Sequence, residues 1–239
     1  GGIFCDRRVL RELADRLAQR FTVINYDRRA RGESDDTLPY SVAREIEDID
    51  ALIEAGGGTA AVYGHSSGAA LALRTAASGL PVTRLVLHEP PYSSDDEASR
   101  NAARVISAAI RTAIAEDRRG DAIKAFFADQ DMPADVLEGM ANDPGMLSIA
   151  PTMAYDIEVM GDDTGGGIPV DLVRDLWVPT LVLAGDASGD FFMDTATHLV
   201  ELLPDANLTI LAGADHGARA DLVAPVVAGF LTGAWMGAA

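Results

Sequence analysis

Residues 61–79 read AVYGHSSGAALALRTAASG, and their order predicts a strand, a sharp turn and a helix. A short apolar run, AAVY (60–63), meets Gly64-His65-Ser66-Ser67-Gly68, and a helix-forming run follows. The turn carries the spacing G-x-S-x-G. A serine hydroxyl is a weak nucleophile and must stand clear of the backbone to meet a base and a substrate. A tight, strained turn does this, and flanking glycines leave room for close helix–strand approach. The helix then starts at the serine, where its free N–H groups and positive dipole end favour an oxyanion. A bare G-x-S-x-G is common by chance. Between a strand and a helix it points to a nucleophilic Ser66, against the blander reading of an ordinary Gly-Ser turn or one without chemistry.

Outward from this stretch, strands and helices alternate. Residues 6–20 space Val9, Leu10, Leu13 and Leu17 as a helix does. FTVINY (21–26) is a β-branched and aromatic run that suits a strand buried on both faces. Val42, Ile46, Ile49 and Ile53 mark an amphipathic helix over 41–55, ended by GGGT (56–59). TRLVLH (83–88) is another buried strand, stopped by Glu89-Pro90-Pro91. TLVLAG (180–185) and NLTILAG (207–213) predict two more strands, with helices over 192–203 and 219–235. Such alternation implies a mostly parallel sheet flanked by helices, about five visible strands in an α/β fold. Residues 92–175 differ. They show no clear strand, only helical stretches at 98–117, 119–129, 133–142 and 146–160, with a break at Asp162-Asp163-Thr164-Gly165-Gly166-Gly167. The expected organisation is a core of 1–91 and 176–239 with an all-helical cap over 92–175.

Composition bounds the function. At 239 residues the chain can bury one good α/β core. It is 48% hydrophobic and 23% charged, as in soluble globular proteins. Its 19 basic and 37 acidic residues leave a net charge of −18, which argues against nucleic acid or an anionic membrane as partner. Cys5 is the single cysteine, so no internal disulfide forms. No apolar run approaches the roughly 20 residues that span a bilayer. Zinc-type His/Cys spacing, G-x-G-x-x-G and a P-loop are absent from the sequence. The chain starts at Gly1 without methionine, so this end does not report targeting; a cytoplasmic location is the expectation.

A serine nucleophile needs a base, and the chain has four histidines. His65 precedes Ser66 within the turn, so its ring should point away from the reaction side. His198 falls on a helix face. His88 ends a strand next to Glu89 and can sit near the site. His216 lies in AGADHGAR, after the last strand. Parallel strands bring their carboxyl ends to one edge, where sites form. His216 is therefore the expected base, weighed against a solvated loop histidine.

Together these features resemble the α/β-hydrolase superfamily, whose chain order is nucleophile, acid, histidine. Beyond GHSSG, the chain has YDRRARGESD (26–35), similar to the family's D-x-R-G-x-G-x-S loop, and LHEPPY (87–92), VPTLVLAGDAS (178–188) and the His216 loop. These cover nearly the whole chain except the cap, and their wording is most similar to actinobacterial α/β-hydrolases. The resemblance implies an oxyanion hole from two backbone N–H groups. One is that of Ser67. The other follows a Gly-Gly pair, here Gly1-Gly2, and is the Ile3 N–H. It also implies that the arginines of the 27–34 loop brace the sheet, although Arg28, Arg29 and Arg31 can alternatively bind an anionic group of a substrate.

Two departures stand out. The family's usual acid comes three residues after the glycine ending the penultimate strand. Here that glycine is Gly185 and the third residue on is Ser188, with Asp186 and Asp190 around it. A family variation moves the acid to the end of the strand after the turn helix, where Glu89 stands. Glu89, Asp186 and Asp190 all remain open at this point, beside the bland reading of each as a loop or capping acid. The second departure is larger. The family fold has three strands before FTVINY, and one of them lies between FTVINY and AAVY in the sheet. The expectation is an N-terminally truncated sequence in which those two runs pair directly or a gap exposes backbone groups.

The cap should roof the pocket. Met132, Met140, Met146, Met153 and Met160 fall there, suited to ordinary packing or to lining an acyl-chain pocket. The reaction implied is that of a serine hydrolase on a carboxylic ester, lactone or related acyl compound, with a small-molecule substrate and no metal or organic cofactor. Haloalkane dehalogenation is disfavoured, since it needs a carboxylate where Ser66 stands. Two alternatives are a non-catalytic small-molecule or partner-binding protein and an acyltransferase or cyclase on the same fold.

Overall fold

Short apolar runs become the strands of this protein, the central ones the more deeply buried, and period-2 alternation sorts their side chains between two helical layers. The computed structural model describes residues 1–128, 130, 132–217 and 219–233. Strands β1 (Ala60–His65), β2 (Val82–His88), β3 (Thr180–Gly185) and β4 (Ala206–Leu211) form one parallel sheet in the order β1-β2-β3-β4. Leu85 and Leu87 of β2 and Val182 and Ala184 of β3 face one core. That core is built with α2 (Val42–Ala55), α3 (Ser67–Ala77), α9 (Val170–Arg174) and α10 (Asp190–Leu202). Val86, Leu181 and Leu183 face the other, against α1 (Arg11–Leu17) and α11 (Ala220–Leu231). Expectation and structure agree for these elements to within a few residues; positions 234–235 of the expected closing helix and Asp129 at the end of 119–129 lie outside the described residues. Of the apolar positions expected on the first helix, Leu13 and Leu17 are buried on α1, and Val9 is exposed.

FTVINY does not form the fifth strand. Residues 22–26 belong to no helix and no ladder, and β1 is an edge of the sheet. Phe21 and Val23 still turn to the α1/α11 core and Tyr26 to the other, the alternation of a strand without its partner. Between this segment and β1 lies a cavity of about 530 Å³, bordered by Val23, Asn25, Ala61 and Tyr63 among others. Apolar patterning sets which way side chains point; a ladder also needs a neighbouring strand within hydrogen-bonding distance. Here the two runs are held apart, so the gap alternative describes the molecule.

Between β2 and β3 the chain is helical: α4 (Glu97–Ala115), α5 (Arg119–Phe126), α6 (Ala134–Ala141), α7 (Pro144–Ile149) and α8 (Met153–Met160). The stretch expected as one helix over 146–160 is broken at a 3₁₀ turn, Ala150–Thr152, because Pro151 has no N–H to give a helical ladder. Met153 is buried inside this insertion, Met140 and Met146 pack around it, and Met160 packs on the main core. Tyr155 of α8 stacks on Tyr40, ring centres 3.8 Å apart, which seats α8 beside the start of α2.

Candidate active site

The strand–turn–helix at Ser66 forces the serine into an unusual backbone state, with φ 57° and ψ −131°. This left-handed φ is strained for a residue with a Cβ, and it lifts the side chain out of the turn. Neighbouring glycines make the turn possible. A Cβ on Gly64 would lie 2.5 Å from the Ala69 Cα, and one on Gly68 would lie 2.5 Å from the Gly1 carbonyl oxygen. A Cβ on Gly2 would lie 2.5 Å from the Ser66 Cβ, so the Gly1-Gly2 segment sits directly against the serine.

Parallel register brings the other groups to the same edge. His65 pairs with His88, His88 with Leu183, and Gly185 with Leu211, so the carboxyl ends of all four strands align. His216, in the loop after β4, places Nε2 3.2 Å from Ser66 Oγ. Its Nδ1 lies 2.6 Å from Glu89 Oε2. Glu89 follows β2 with φ 48° and is fully buried, and its Oε1 accepts a 2.6 Å hydrogen bond from the Gly185 N–H. Burial acts to raise the Glu89 pKa, but hydrogen bonds including those from His216 and the Gly185 N–H outweigh it and hold the carboxyl below its ordinary range. A carboxylate there requires the proton on His216 Nδ1, which leaves Nε2 as an acceptor for the serine hydroxyl.

Asp186 and Asp190 are not part of this group. The exposed Asp186 accepts the Gly213 N–H at 2.7 Å, bracing the loop after β4, and Asp190 opens α10 at the surface. Of the three acids left open by the sequence, Glu89 reaches the imidazole from the end of β2, while Asp186, one residue past β3, turns its carboxylate to the backbone of the adjoining loop. His198 lies 3.6 Å from Asp95, away from the serine. The His65 Nε2–H donates to the His216 carbonyl at 2.9 Å, tying the turn at Ser66 to the His216 loop. Burial holds its pKa well below the ordinary value, so the ring is neutral. His88 lies under both and bonds Tyr63 through Nδ1 at 2.7 Å. Phe192 stacks on the His216 ring, centres 4.3 Å apart and planes 16° from parallel.

The loop after FTVINY supplies a buried ionic cluster beside the turn. Arg28 bonds Glu45 through two nitrogens, at 2.7 and 2.6 Å, and Asp156 Oδ1 at 2.7 Å. Arg31 bonds Asp156 Oδ2 and donates to the Gly2 carbonyl at 2.6 Å. Ser67 Oγ donates to Asp156 Oδ1 at 2.7 Å. Arg29 is occupied separately by Asp48, at 2.5 and 2.7 Å. All three arginines are thus engaged by carboxylates of the chain, which favours bracing over binding of a substrate anion. Among the described residues, the Ile3 and Ser67 N–H groups donate to no other protein group. No cluster of three or more His, Cys, Asp or Glu among them has the geometry of a metal site.

A model of the alpha/beta hydrolase family matches residues 1–226. The chain belongs to this family. An alpha/beta hydrolase from Sphaerobacter thermophilus is 42% identical with a TM-score of 0.83, covering 97% of this chain and 90% of its own. The 2-(acetamidomethylene)succinate hydrolase of Mesorhizobium japonicum is 29% identical over 90% of this chain and 79% of its own length. The 2-hydroxy-6-oxo-6-phenylhexa-2,4-dienoate hydrolase of Rhodococcus sp. strain RHA1 shares the fold at 21% identity, with a TM-score of 0.67 over 97% of this chain and 88% of that one. These matches establish the alpha/beta hydrolase fold; that Ser66, His216 and Glu89 meet on it comes from the contacts within this chain.

Two residues of the site escaped the sequence reading. Asp156 carried a usable signal: it shares the helical stripe of Met153, Ile157 and Met160, and a lone acid on an apolar face calls for a buried cation. Phe192 carried none, since an aromatic on a helix next to a loop is ordinary packing.

Proposed function

We propose that this protein is a serine hydrolase that cleaves a carboxylic ester, lactone or related acyl compound through an acyl-enzyme on Ser66. The reading rests on one observation above all: the continuous chain from Ser66 Oγ to His216 Nε2, 3.2 Å, and from His216 Nδ1 to Glu89, 2.6 Å. His216 takes the hydroxyl proton as Oγ attacks the carbonyl carbon, and Glu89 stabilises the imidazolium that forms. The tetrahedral oxyanion is met by the N–H groups of Ile3 and Ser67. His216 then protonates the leaving group, the acyl-enzyme forms, and water attacks it with His216 again as base. The helical insertion serves as a cap, with the Phe4, Phe126 and Phe127 rings packed together, centres 4.9 to 5.9 Å apart, beside the Ile3 donor. That apolar wall favours an uncharged acyl group. The 29% identical relative is named for hydrolysing an acetamido compound, so amides join esters and lactones in the first screen.

The test is labelling with a fluorophosphonate probe followed by peptide mass spectrometry. The expected adduct lies on Ser66, is abolished by Ser66→Ala and is reduced at least about a thousandfold in rate by His216→Ala. A folded protein that binds small molecules but takes no label at Ser66 would overturn the reading in favour of a binding protein.

A further inference from the structure

The two oxyanion donors come from segments far apart in sequence, and one buried carboxylate of the insertion touches the supports of both. Ile3 N–H belongs to the Gly2–Ile3 peptide, within a tight turn closed by the Cys5 N–H to Gly2 carbonyl bond of 3.2 Å. That turn places Phe4, which has a Cβ, at φ 56°, so it needs outside help to persist. Arg31 gives that help: its Nη1 donates to the Gly2 carbonyl at 2.6 Å and to the Cys5 carbonyl at 3.3 Å, clamping both ends of the turn. In a trans peptide the C=O and the following N–H point in opposite directions. An arginine that fixes the Gly2 carbonyl on one side therefore aims the Ile3 N–H to the other, where Gly2 abuts Ser66. Arg31 is itself buried, and its remaining arm is held by Asp156 Oδ2. The second donor, the Ser67 N–H, starts α3, and the Ser67 hydroxyl is tied to Asp156 Oδ1. Asp156 is buried on α8, within the insertion.

We propose that Asp156 is a positioning residue that aligns both halves of the oxyanion hole: Ile3 N–H through Arg31 and the Gly2 carbonyl, and Ser67 N–H through the Ser67 hydroxyl. The seating of α8 on the core thereby sets how strongly the site polarises a carbonyl. This rests on the serine-hydrolase reading above and adds to it a link between insertion and chemistry. The effect belongs to the transition state, because the oxyanion exists only there; substrate binding to the apolar wall is untouched.

The experiment compares wild type with Asp156→Asn, Ser67→Ala and Arg31→Lys on an activated p-nitrophenyl ester. Rates are expressed per active site titrated by the acylation burst, so misfolded protein drops out. A trifluoromethyl ketone, which adds to Ser66 as a tetrahedral oxyanion, provides the second readout. Asp156→Asn is expected to lower kcat by about 10- to 100-fold with little change in KM, since small misplacements of aligned groups have effects of that size. Affinity for the ketone should fall by the same factor. Ser67→Ala keeps a helix-forming residue and the backbone N–H, and Arg31→Lys keeps the charge but cannot span the Gly2 carbonyl and Asp156 together. Both should show smaller losses in the same two readouts. Combining Ser67→Ala with Asp156→Asn should cost no more than Asp156→Asn alone along that path. If Asp156→Asn does not fold, the two milder variants decide. Unchanged kcat per titrated site and unchanged ketone affinity in those variants would overturn the proposal while leaving the hydrolase reading intact. Failure of wild type to label at Ser66 would instead remove the reading on which it rests.

Discussion

At the residue scale, the proposed mechanism turns on which carboxylate serves His216. Glu89 and Asp186 both end strands of one parallel sheet, and both are carboxylates close to the His216 loop. Only Glu89 is buried and shared between His216 and the Gly185 N–H; Asp186 is exposed and spends its acceptor on Gly213. Glu89→Gln should therefore lower kcat by about 10² to 10⁴, because an amide can present its own N–H and turn His216 to the wrong tautomer. Asp186→Asn should leave kcat essentially unchanged, as surface substitutions away from the chemistry do. Steady-state rates on any ester substrate check the pair. Equal losses in both variants would move the acid's role away from Glu89.

At the element scale, the pairing of β1 with β2 sets His65 and His88 side by side, ring centres 5.1 Å apart, with His65 4.7 Å from the ring of His216. The register His65↔His88 makes this unavoidable once both strands end in histidine. Burial pushes the His88 pKa down to about 4 from its ordinary value of 6.5. The folded state thus holds His88 neutral over a window in which the unfolded chain binds a proton. Its contribution to stability is complete above pH 6.5 and is lost as pH falls towards 4, with a span of about 3 kcal/mol. In His88→Asn that dependence disappears, while a partner for Tyr63 remains. Urea unfolding at pH 7 and pH 4.5 should show the stability of wild type relative to His88→Asn shrinking at the lower pH. A pH-independent difference would show that His88 is not held neutral.

At the scale of the whole molecule, charge and ionic pairing act together on substrate choice. The net charge is −18, and the arginines nearest the site are consumed by Glu45, Asp156 and Asp48. On the proposed reading, an anionic substrate would be repelled on approach and would meet no unengaged guanidinium of Arg28, Arg29 or Arg31 on arrival. A neutral butyrate ester should therefore show a higher kcat/KM than a succinate monoester of equal chain length, and added salt should narrow the gap. A preference for the anionic ester would mean that the Arg28–Arg31–Asp156 cluster opens to bind substrate.

Much of this was legible along the chain, and the remainder follows a physical boundary. Local patterns determined the turn at Ser66, the strand edges and the placement of His216 after the last strand, because glycine spacing and apolar period act over a few residues. The family likeness pointed to Gly2-Ile3 and Ser67 for the same reason. What the tertiary structure decided are relations between distant segments. FTVINY has strand-like side-chain alternation yet no ladder, since a ladder depends on which run lies alongside and no local pattern supplies that neighbour. Glu89 prevailed over Asp186 through the positive φ that turns it out of β2 and the register that sets it across from β3. Asp156 meets Arg31 across 125 residues of sequence, a pairing created only when the helical insertion docks on the core and a buried charge must find its counter-charge.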